Sequence, residues 1–366
     1  MVYKIIEQGY ITERPPGTDT SSVAGPRCVV GTSNEIICTF VAQTQLGSND
    51  FKPMITRSFD NGHTWDTAKQ IWPEQTLKFS IYGSISKTPA GDLLFYGTRT
   101  PIDEPGEFFW SPLTQGLRQN ELVWTRSRDG GCTWNDFKTI KIPYAGSAEA
   151  PGPMCATRNG RLLCCYAPSN TFDPKVKVER NKIVCLWSDD DGETWQPSTM
   201  LKYPFGDSSG AVAWLIELDD SRLLGTAWHI RQSTDEPNAF AISTDSGTTW
   251  KPTRSTGILG QSTSLAPLFH GRALFVYNQR KYGDVGVWMA VARPTDENFG
   301  IEHNSNVWKA TKASKIQGKV NHDTWTDFAF GEPSVLVLPN NEILVTLWSA
   351  QRSGGADIVY VKISMN

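Results

Sequence analysis

Histidine is scarce, with five in 366 residues, and no His-x-x-x-His or Cys-x-x-Cys spacing occurs anywhere. The ligand patterns of zinc proteins are therefore missing, as are a P-loop, a dinucleotide fingerprint and a Gly-x-Ser-x-Gly elbow. No metal and no organic cofactor are expected. Seven cysteines, Cys28, Cys38, Cys132, Cys155, Cys164, Cys165 and Cys185, make an odd set that sits mostly in apolar strand-like runs, which reads as reduced thiols rather than a disulfide framework. Charge of one sign is lacking too. With 35 Lys and Arg against 38 Asp and Glu, a net charge of -3 and a pI near 6.0, there is no footprint for nucleic acid or for an anionic membrane. No apolar run is long enough to span a bilayer, and the N-terminus, Met1-Val-Tyr-Lys-Ile-Ile-Glu-Gln, lacks the pattern of a secretory signal. A soluble, cytoplasmic protein is the expectation.

What is abundant is glycine (31), proline (22) and tryptophan (14), and the tryptophans mark an internal repeat. Ser-x-Asp-x-Gly-x-Thr-Trp occurs four times, as Ser58–Trp65, Ser127–Trp134, Ser188–Trp195 and Ser243–Trp250. In such a turn the carboxylate accepts backbone N–H groups, glycine takes the left-handed position and tryptophan drops back toward the sheet. The aspartates Asp60, Asp129, Asp190 and Asp245 are thus turn-formers, not catalysts. A second repeat, apolar strand, Gly/Asn/Asp turn, apolar strand, occurs six times, beginning near Pro26, Gly83, Gly152, Ala211, Ser264 and Pro333. Six hairpins with four such boxes predict an all-β chain, a six-bladed β-propeller with Asp-box turns spanning residues 1–366 as one domain. The final strand near Asp357–Ser364 and an early one near Tyr3–Ile6 are expected to pair and close the ring.

Four Asp boxes on six blade hairpins resemble the sialidase (neuraminidase) superfamily over essentially the whole chain. That resemblance implies an axial pocket in which three arginines grip the sugar carboxylate, a Tyr–Glu pair supplies the nucleophile and a loop Asp is the acid/base. Registered residue by residue, the first arginine slot falls on Ala24, with Arg27 and Arg14 the nearest basic residues. The second falls on His229, and its partner Glu slot falls near Ser209-Gly210. The third is matched by Arg280. The tyrosine slot falls on Glu332. A carboxylate nucleophile suits a sugar without an anomeric carboxylate, because no like charge repels it. The acid/base loop contains Asp50.

Residues flanking the hairpins are expected to converge on the axis. Among them Glu332 is the expected nucleophile or base, with Asp50 or Glu149 as second carboxylate and His229 as an orienting group or base. Arg280, Arg231, Arg99, Arg352, Tyr277 and Trp348 are the expected substrate-binding set. The bland alternatives are an ion-pair ring among the arginines and carboxylates, a packing role for His229 and ordinary aromatic blade core. The leading expectation is a sialidase-like exo-acting glycoside hydrolase of divergent specificity whose partner is a carbohydrate. The alternatives are a true sialidase or hydrolase of another 2-keto sugar acid, a uronate-glycan lyase, and a non-catalytic carbohydrate- or protein-binding propeller.

Overall fold

The computed structural model describes residues 3–14, 17–310, 322–351 and 354–365. Six antiparallel four-stranded blades follow one another along the chain. Their innermost strands are Ser22–Val30, Phe79–Lys87, an interrupted Ser147–Glu149 and Cys155–Ala156, Ser208–Glu217, Gln261–Leu268 and Phe330–Val337. Each pairs with the second strand of its blade, Ile36–Gln43, Leu93–Pro101, Leu162–Ser169, Leu223–Arg231, Arg272–Gln279 and Glu342–Ala350 respectively. Innermost strands pack between the first and second, third and fourth, fourth and fifth, and fifth and sixth blades, and that of the sixth packs on that of the first. Ser84 Oγ of the second blade donates to the Pro151 carbonyl of the third, so the blades form a ring.

The hairpin joining these two strands is set by local chemistry. In five blades the same backbone bond closes the turn, from Gly31, Thr88, Thr157, Leu218 and Leu338 to the carbonyl four residues on. The residue before that acceptor, Asn34, Gly91, Gly160, Ser221 or Asn341, takes positive φ, the conformation that Gly and Asn adopt with least strain. Second strands lie between neighbouring blades and are covered on both faces. Ile36–Gln43 is buried at every position, which is why its sequence runs apolar without alternation.

The Asp boxes join third to fourth strands in the first four blades. In the last of them, Ser243 Oγ donates to Asp245 Oδ1 (2.8 Å), and the same carboxylate accepts the Thr249 amide (2.9 Å) and hydroxyl (2.5 Å). Threonine bonds of this kind hold the Asp60 and Asp129 carboxyls below the usual range. At Asp245 burial pushes the other way, and the bonds outweigh it. The support they give is complete above about pH 4 and is lost as the pH falls through the lowered values. Asp245→Ala is expected to cost about 1–2 kcal/mol, as loss of a helix cap does, measurable as a lower urea midpoint with unchanged slope. The box tryptophans fill the seams, Trp65, Trp134, Trp195 and Trp250 each packing against a different apolar cluster.

Ring closure is as the sequence predicts. Tyr3–Thr12 pairs antiparallel with Ala356–Met365 as the outer strand of the sixth blade. Glu7 on that outer strand accepts from Lys362 (2.5 Å) and Tyr360 (2.5 Å) and lies 2.9 Å from His63 in the first box turn. The closing blade is thereby bonded to its neighbour.

Candidate active site

Near the axis the innermost strands stop being regular. Four of them break register, between Ala24 and Arg27, Ala211 and Trp214, Gln261 and Thr263, and Gly331 and Ser334. At each break one residue has positive φ: Gly25 (60°), Val212 (49°), Ser262 (46°) and Glu332 (45°). Such bulges re-aim a side chain and free backbone groups from the ladder, and a branched residue such as Val212 takes this conformation only where its surroundings impose it. In the third blade the segment Ala150–Met154, with two prolines, interrupts the strand instead.

Arg27 gathers the freed carbonyls. It is 2% exposed, and its guanidinium donates to the carbonyls of Pro26 (2.7 Å), Pro151 (3.3 Å) and Glu332 (3.3 Å) while lying 5.0 Å over the Trp214 ring. One side chain therefore ties the first, third, fourth and sixth blades across the axis. Arg27 lines one pocket, and Pro151 and Glu332, whose carbonyls it holds, line another.

That pocket has a volume of about 210 Å³ and holds two carboxylates. Glu332 accepts a hydrogen bond from the Tyr82 hydroxyl. Gly25 faces the same hydroxyl, and a Cβ there would come within 2.8 Å of it. Burial, then the charge of Glu332, pushes the Tyr82 phenol well above its ordinary value, so it stays a donor. Glu149 lies in the same pocket with its carboxyl on the Val212 amide (3.0 Å). Burial pushes Glu149 up to about 8, against the opposing pull of the Val212 N–H and with Glu332 adding to the rise. Burial, with Glu332 nearby, thus leaves Glu149 a carboxyl that keeps its proton.

This arrangement has a stability signature. An unfolded glutamate titrates near 4.3, so between roughly pH 4.5 and 8 the folded protein holds a proton that the unfolded chain releases. Stability falls as pH rises through that window. Glu149→Gln removes this slope and is expected to gain on the wild type by on the order of 2–4 kcal/mol at pH 8 relative to pH 5, allowing for screening at the pocket surface. Urea unfolding at the two pH values measures it.

Among the described residues three arginines line the pocket: Arg118, Arg180 and Arg280. Arg118 pairs with Asp103 (3.1 Å) and Glu107 (2.8 Å). Arg280, buried, donates to the Phe330 carbonyl and to Gln261 Oε1 (2.9 Å), and Gln261 in turn donates to Asp235 (3.0 Å). The same aspartate holds Trp228 Nε1 (3.0 Å) and Lys281 (2.9 Å). Burial pulls Arg280 down to about 9, leaving it charged at neutral pH. Gly331 makes room for both Arg280 and Trp348, each of which would stand under 3.0 Å from a Cβ there.

Of the residues expected at the site, Glu332, Glu149, Arg280 and Trp348 line the pocket. The others that the structure describes do not. Asp50 turns back onto the Thr44 amide (3.2 Å) and hydroxyl. His229 stacks on Tyr203 at 4.3 Å and meets Ser208 Oγ at 3.1 Å. Arg231 pairs with Asp207 (3.1 Å) over the Phe205 ring, and Arg99 with Glu121 (2.7 Å) over Phe79. Tyr277 is buried with its hydroxyl near Asn304 Oδ1 (3.1 Å). The reason is common to Arg99, His229, Arg231 and Tyr277. They sit on second strands, where alternate side chains face opposite ways: Thr98, Thr100 and Trp228, on two of the same strands, line the pocket, while Arg99, His229, Arg231 and Tyr277 meet neighbours in the blade. Trp348 is also on a second strand but lies opposite Gly331, which has no side chain to block it. Arg352 lies outside the described residues.

Sequence reasoning missed Tyr82, Arg180 and His322. Tyr82 stands immediately before the hairpin motif beginning at Gly83, as Glu332 stands before Pro333, so its position was a usable signal. Arg180 and His322 lie outside the repeat, on the segment leading into Lys182–Ser188 and on the short 3-10 helix His322–Asp327.

With the geometry in place, comparison with known proteins gives its relatives. The BNR repeat-like domain matches residues 108–328, more than half of the chain. Similar solved structures include a protein of unknown function from Dyadobacter fermentans DSM 18053, with TM-score 0.74 and 17% identity over 100% of this chain and 99% of that one. The NanB sialidase from Streptococcus pneumoniae matches with TM-score 0.66 and 15% identity, over 98% and 70% of the two chains. The α-L-arabinanase of Penicillium chrysogenum, complexed with arabinobiose, matches with TM-score 0.61 and 13% identity over 98% of each. At such identities the likeness speaks to the fold, a sialidase-like propeller. The chain belongs to the BNR repeat-like domain family.

Proposed function

We propose that this protein is a glycoside hydrolase working in the axial pocket, with Glu149 as general acid and Glu332 as nucleophile or base. The observation that carries this reading is the pair of carboxylates in one pocket with unlike environments. Glu149 is kept protonated by burial, while Glu332 receives the Tyr82 hydroxyl. Glycoside hydrolysis needs one proton donor at the leaving oxygen and one carboxylate at the reacting carbon, and the burial that keeps a proton on Glu149 suits it to the first role. Trp228, Trp325 and Trp348 on the pocket wall supply apolar faces against which a sugar ring stacks. The ligand of the arabinanase, a neutral disaccharide, is consistent with a carboxylate nucleophile on this fold.

The test is a panel of aryl glycosides differing in leaving group. Glu149→Gln is expected to retain activity on 2,4-dinitrophenyl glycosides, whose leaving group needs no proton, and to lose it on alkyl glycosides. Equal losses on both would remove Glu149 from the acid role, and silence of the wild type across sugars would remove the hydrolase reading.

The Tyr82–Glu332 bond favours one second reading, in which Tyr82 is the nucleophile and Glu332 its base, as in a hydrolase of 2-keto sugar acids. Tyr82→Phe separates the two. Under the first reading it costs about tenfold, the worth of one hydrogen bond to a charged group; under the second it abolishes turnover.

A further inference from the structure

We infer that the aromatic wall which an insertion in the second blade builds along the pocket is the seat of the leaving group, and that it takes an aromatic one. The substrate is then a glycoside of a phenol or similar aryl alcohol rather than of a second sugar. This rests on Glu149 as the acid of the proposed reaction, because the group beside the acid is the one that departs.

Residues 102–120 join the second and third strands of the second blade and form the longest of the six such connections. They contain a small hairpin, Trp110–Ser111 with Gly116–Leu117, and the segment is pinned at both ends. Toward the first blade, the Phe109 amide donates to the Gly47 carbonyl (3.1 Å) and the Asn49 amide to the Glu107 carbonyl (2.8 Å). Toward the third blade, the Leu117 amide donates to the Asn170 carbonyl (2.8 Å) and Ser147 Oγ to the Arg118 carbonyl (2.9 Å). The Asn120 side chain exchanges two bonds with the Ala148 backbone, each 2.9 Å, and Ala148 directly precedes Glu149. The insertion therefore runs along the pocket from the first blade to the strand that carries the acid.

A series of rings follows the same course. Tyr82, bonded to Glu332, meets Phe51 at 5.3 Å, and Phe51 meets Phe109 at 5.0 Å. Phe109 meets Trp325 at 5.3 Å, and Trp325 meets Trp110 at 5.9 Å. All five line the pocket. Phe51 is buried behind the others, which are half-buried and keep part of their surface open. Trp110 pairs across the hairpin with Leu117, another lining residue and the neighbour of Arg118, whose carbonyl Ser147 holds. The rings thus span the distance from Tyr82 and Glu332 to the segment docked beside Glu149.

A sugar seated here would need partners for its hydroxyls. The insertion offers the pocket three polar side chains, and the protein engages each of them. Arg118 pairs with Asp103 and Glu107 and donates to the Phe108 carbonyl (2.9 Å). Gln115 donates to the Pro112 carbonyl (3.0 Å), and Asn120 is held by Ala148. In the first blade Gln43 Oε1 takes the Gly47 amide (3.1 Å), and its Nε2 is closed off from solvent. His322, on the helix that carries Trp325, turns to Trp228 (5.2 Å). The hydroxyl side chains of the pocket, Ser80, Thr98, Thr100, Ser169, Ser209 and Ser262, stand on blade strands, and Arg180 comes from a connection of the third blade. Partners for a sugar are therefore on the blades, not on the insertion. An aromatic leaving group asks for none. It extends the series of tilted and edge-to-face rings, and it has less internal freedom to lose than an alkyl chain.

The experiment is calorimetric titration with sulfur-linked glycosides, which bind without being cleaved. Phenyl, hexyl and methyl 1-thioglycosides and the 1-thio disaccharide to glucose are compared, in both anomeric forms. The sugars are L-arabinofuranose, D-xylose, D-glucose, D-galactose and N-acetylneuraminate. For at least one of them the phenyl form is expected to bind about tenfold or more tighter than the methyl form, and tighter than the hexyl form and the disaccharide. In Trp110→Ala that margin is expected to shrink to about threefold or less, with binding of the methyl form unchanged. Should Trp110→Ala loosen the hairpin, seen as a lower Tm, Trp325→Leu reads the same wall from the helix His322–Asp327. Phenyl and methyl forms bound alike, hexyl form or disaccharide bound as tightly as phenyl, or no phenyl form bound overturns the inference. So does a margin that survives both substitutions, or a loss that falls equally on phenyl and methyl forms. Turnover of oxygen-linked glycosides decides the hydrolase reading and binding of the uncleaved sulfur analogues decides this one, so the two fail separately.

Discussion

Glu332→Gln is expected to lower kcat/KM on whichever glycoside is cleaved by on the order of 10³-fold or more, with Tm within a degree or two of the wild type. Glutamine keeps the size of the side chain and an oxygen to accept the Tyr82 hydroxyl. The backbone carbonyl that Arg27 holds is untouched, so the bulge at φ 45° survives. On the proposed reading, what disappears is the carboxylate that attacks, or activates the attacker of, the anomeric carbon. Removing a group that acts only in the transition state lowers kcat and kcat/KM together, and a thousandfold corresponds to about 4 kcal/mol of barrier. An unchanged KM for a slow substrate would show that the pocket still binds. Retention of a tenth or more of the activity would move Glu332 out of the chemistry.

Arg27→Met carries the second large effect, and it falls on stability. The side chain is buried, and its guanidinium serves carbonyls from three blades and covers the ring of Trp214 from a fourth. Methionine fills most of the volume but donates nothing. Pro151 O keeps a second donor, Ser84 Oγ at 2.6 Å, whereas Pro26 O and Glu332 O lose the donor that Arg27 gave them. Each buried polar group left unpaired costs about 1–3 kcal/mol, so a loss of about 2–4 kcal/mol is expected, visible as a lower urea midpoint. Because the Glu332 carbonyl is one of those released, turnover should fall in kcat more than in KM. An Arg27→Met variant as stable and as active as the wild type would reduce Arg27 to a filler of the axis.

How much of this was legible in the sequence follows from how local each feature is. The Asp boxes and the hairpin turns are written in contiguous residues, Ser58 to Trp65 or Thr88 to Asp92, and their turn chemistry reads directly. Glu149 and Glu332 were legible because they stand just before the hairpin motifs beginning at Gly152 and Pro333, on the strands nearest the axis. The same rule extended to the ends of second strands placed His229, Arg231, Arg99 and Tyr277 at the centre. The alternation of side chains along the strand defeats it there, since Thr98, Thr100 and Trp228 on two of those strands are the ones that line the pocket. Tyr82 holds the same place relative to its hairpin as Glu332, but an aromatic residue flanking an apolar strand carries no charge to set it apart from core. Nothing in the repeat registers Arg180 or His322, which ride on connections of individual length. The bulges at Val212, Ser262 and Glu332 were equally silent, since the residues in the left-handed conformation there are not glycine. At Val212 and Glu332 that geometry is held by bonds to other blades, from the Val212 amide to Glu149 and from Arg27 to the Glu332 carbonyl.

The measurement that tests the carboxylate pair most directly is the pH dependence of kcat/KM for a cleaved glycoside in the wild type and in Glu149→Gln. With Glu149 as the acid, held protonated up to about 8, the wild-type profile should fall on its basic side near that pH. In Glu149→Gln, assayed on a 2,4-dinitrophenyl glycoside, that limb should vanish and the acid limb remain. A basic limb that persists unchanged in the variant would show that another group donates the proton, and would contradict the assignment of the two carboxylates.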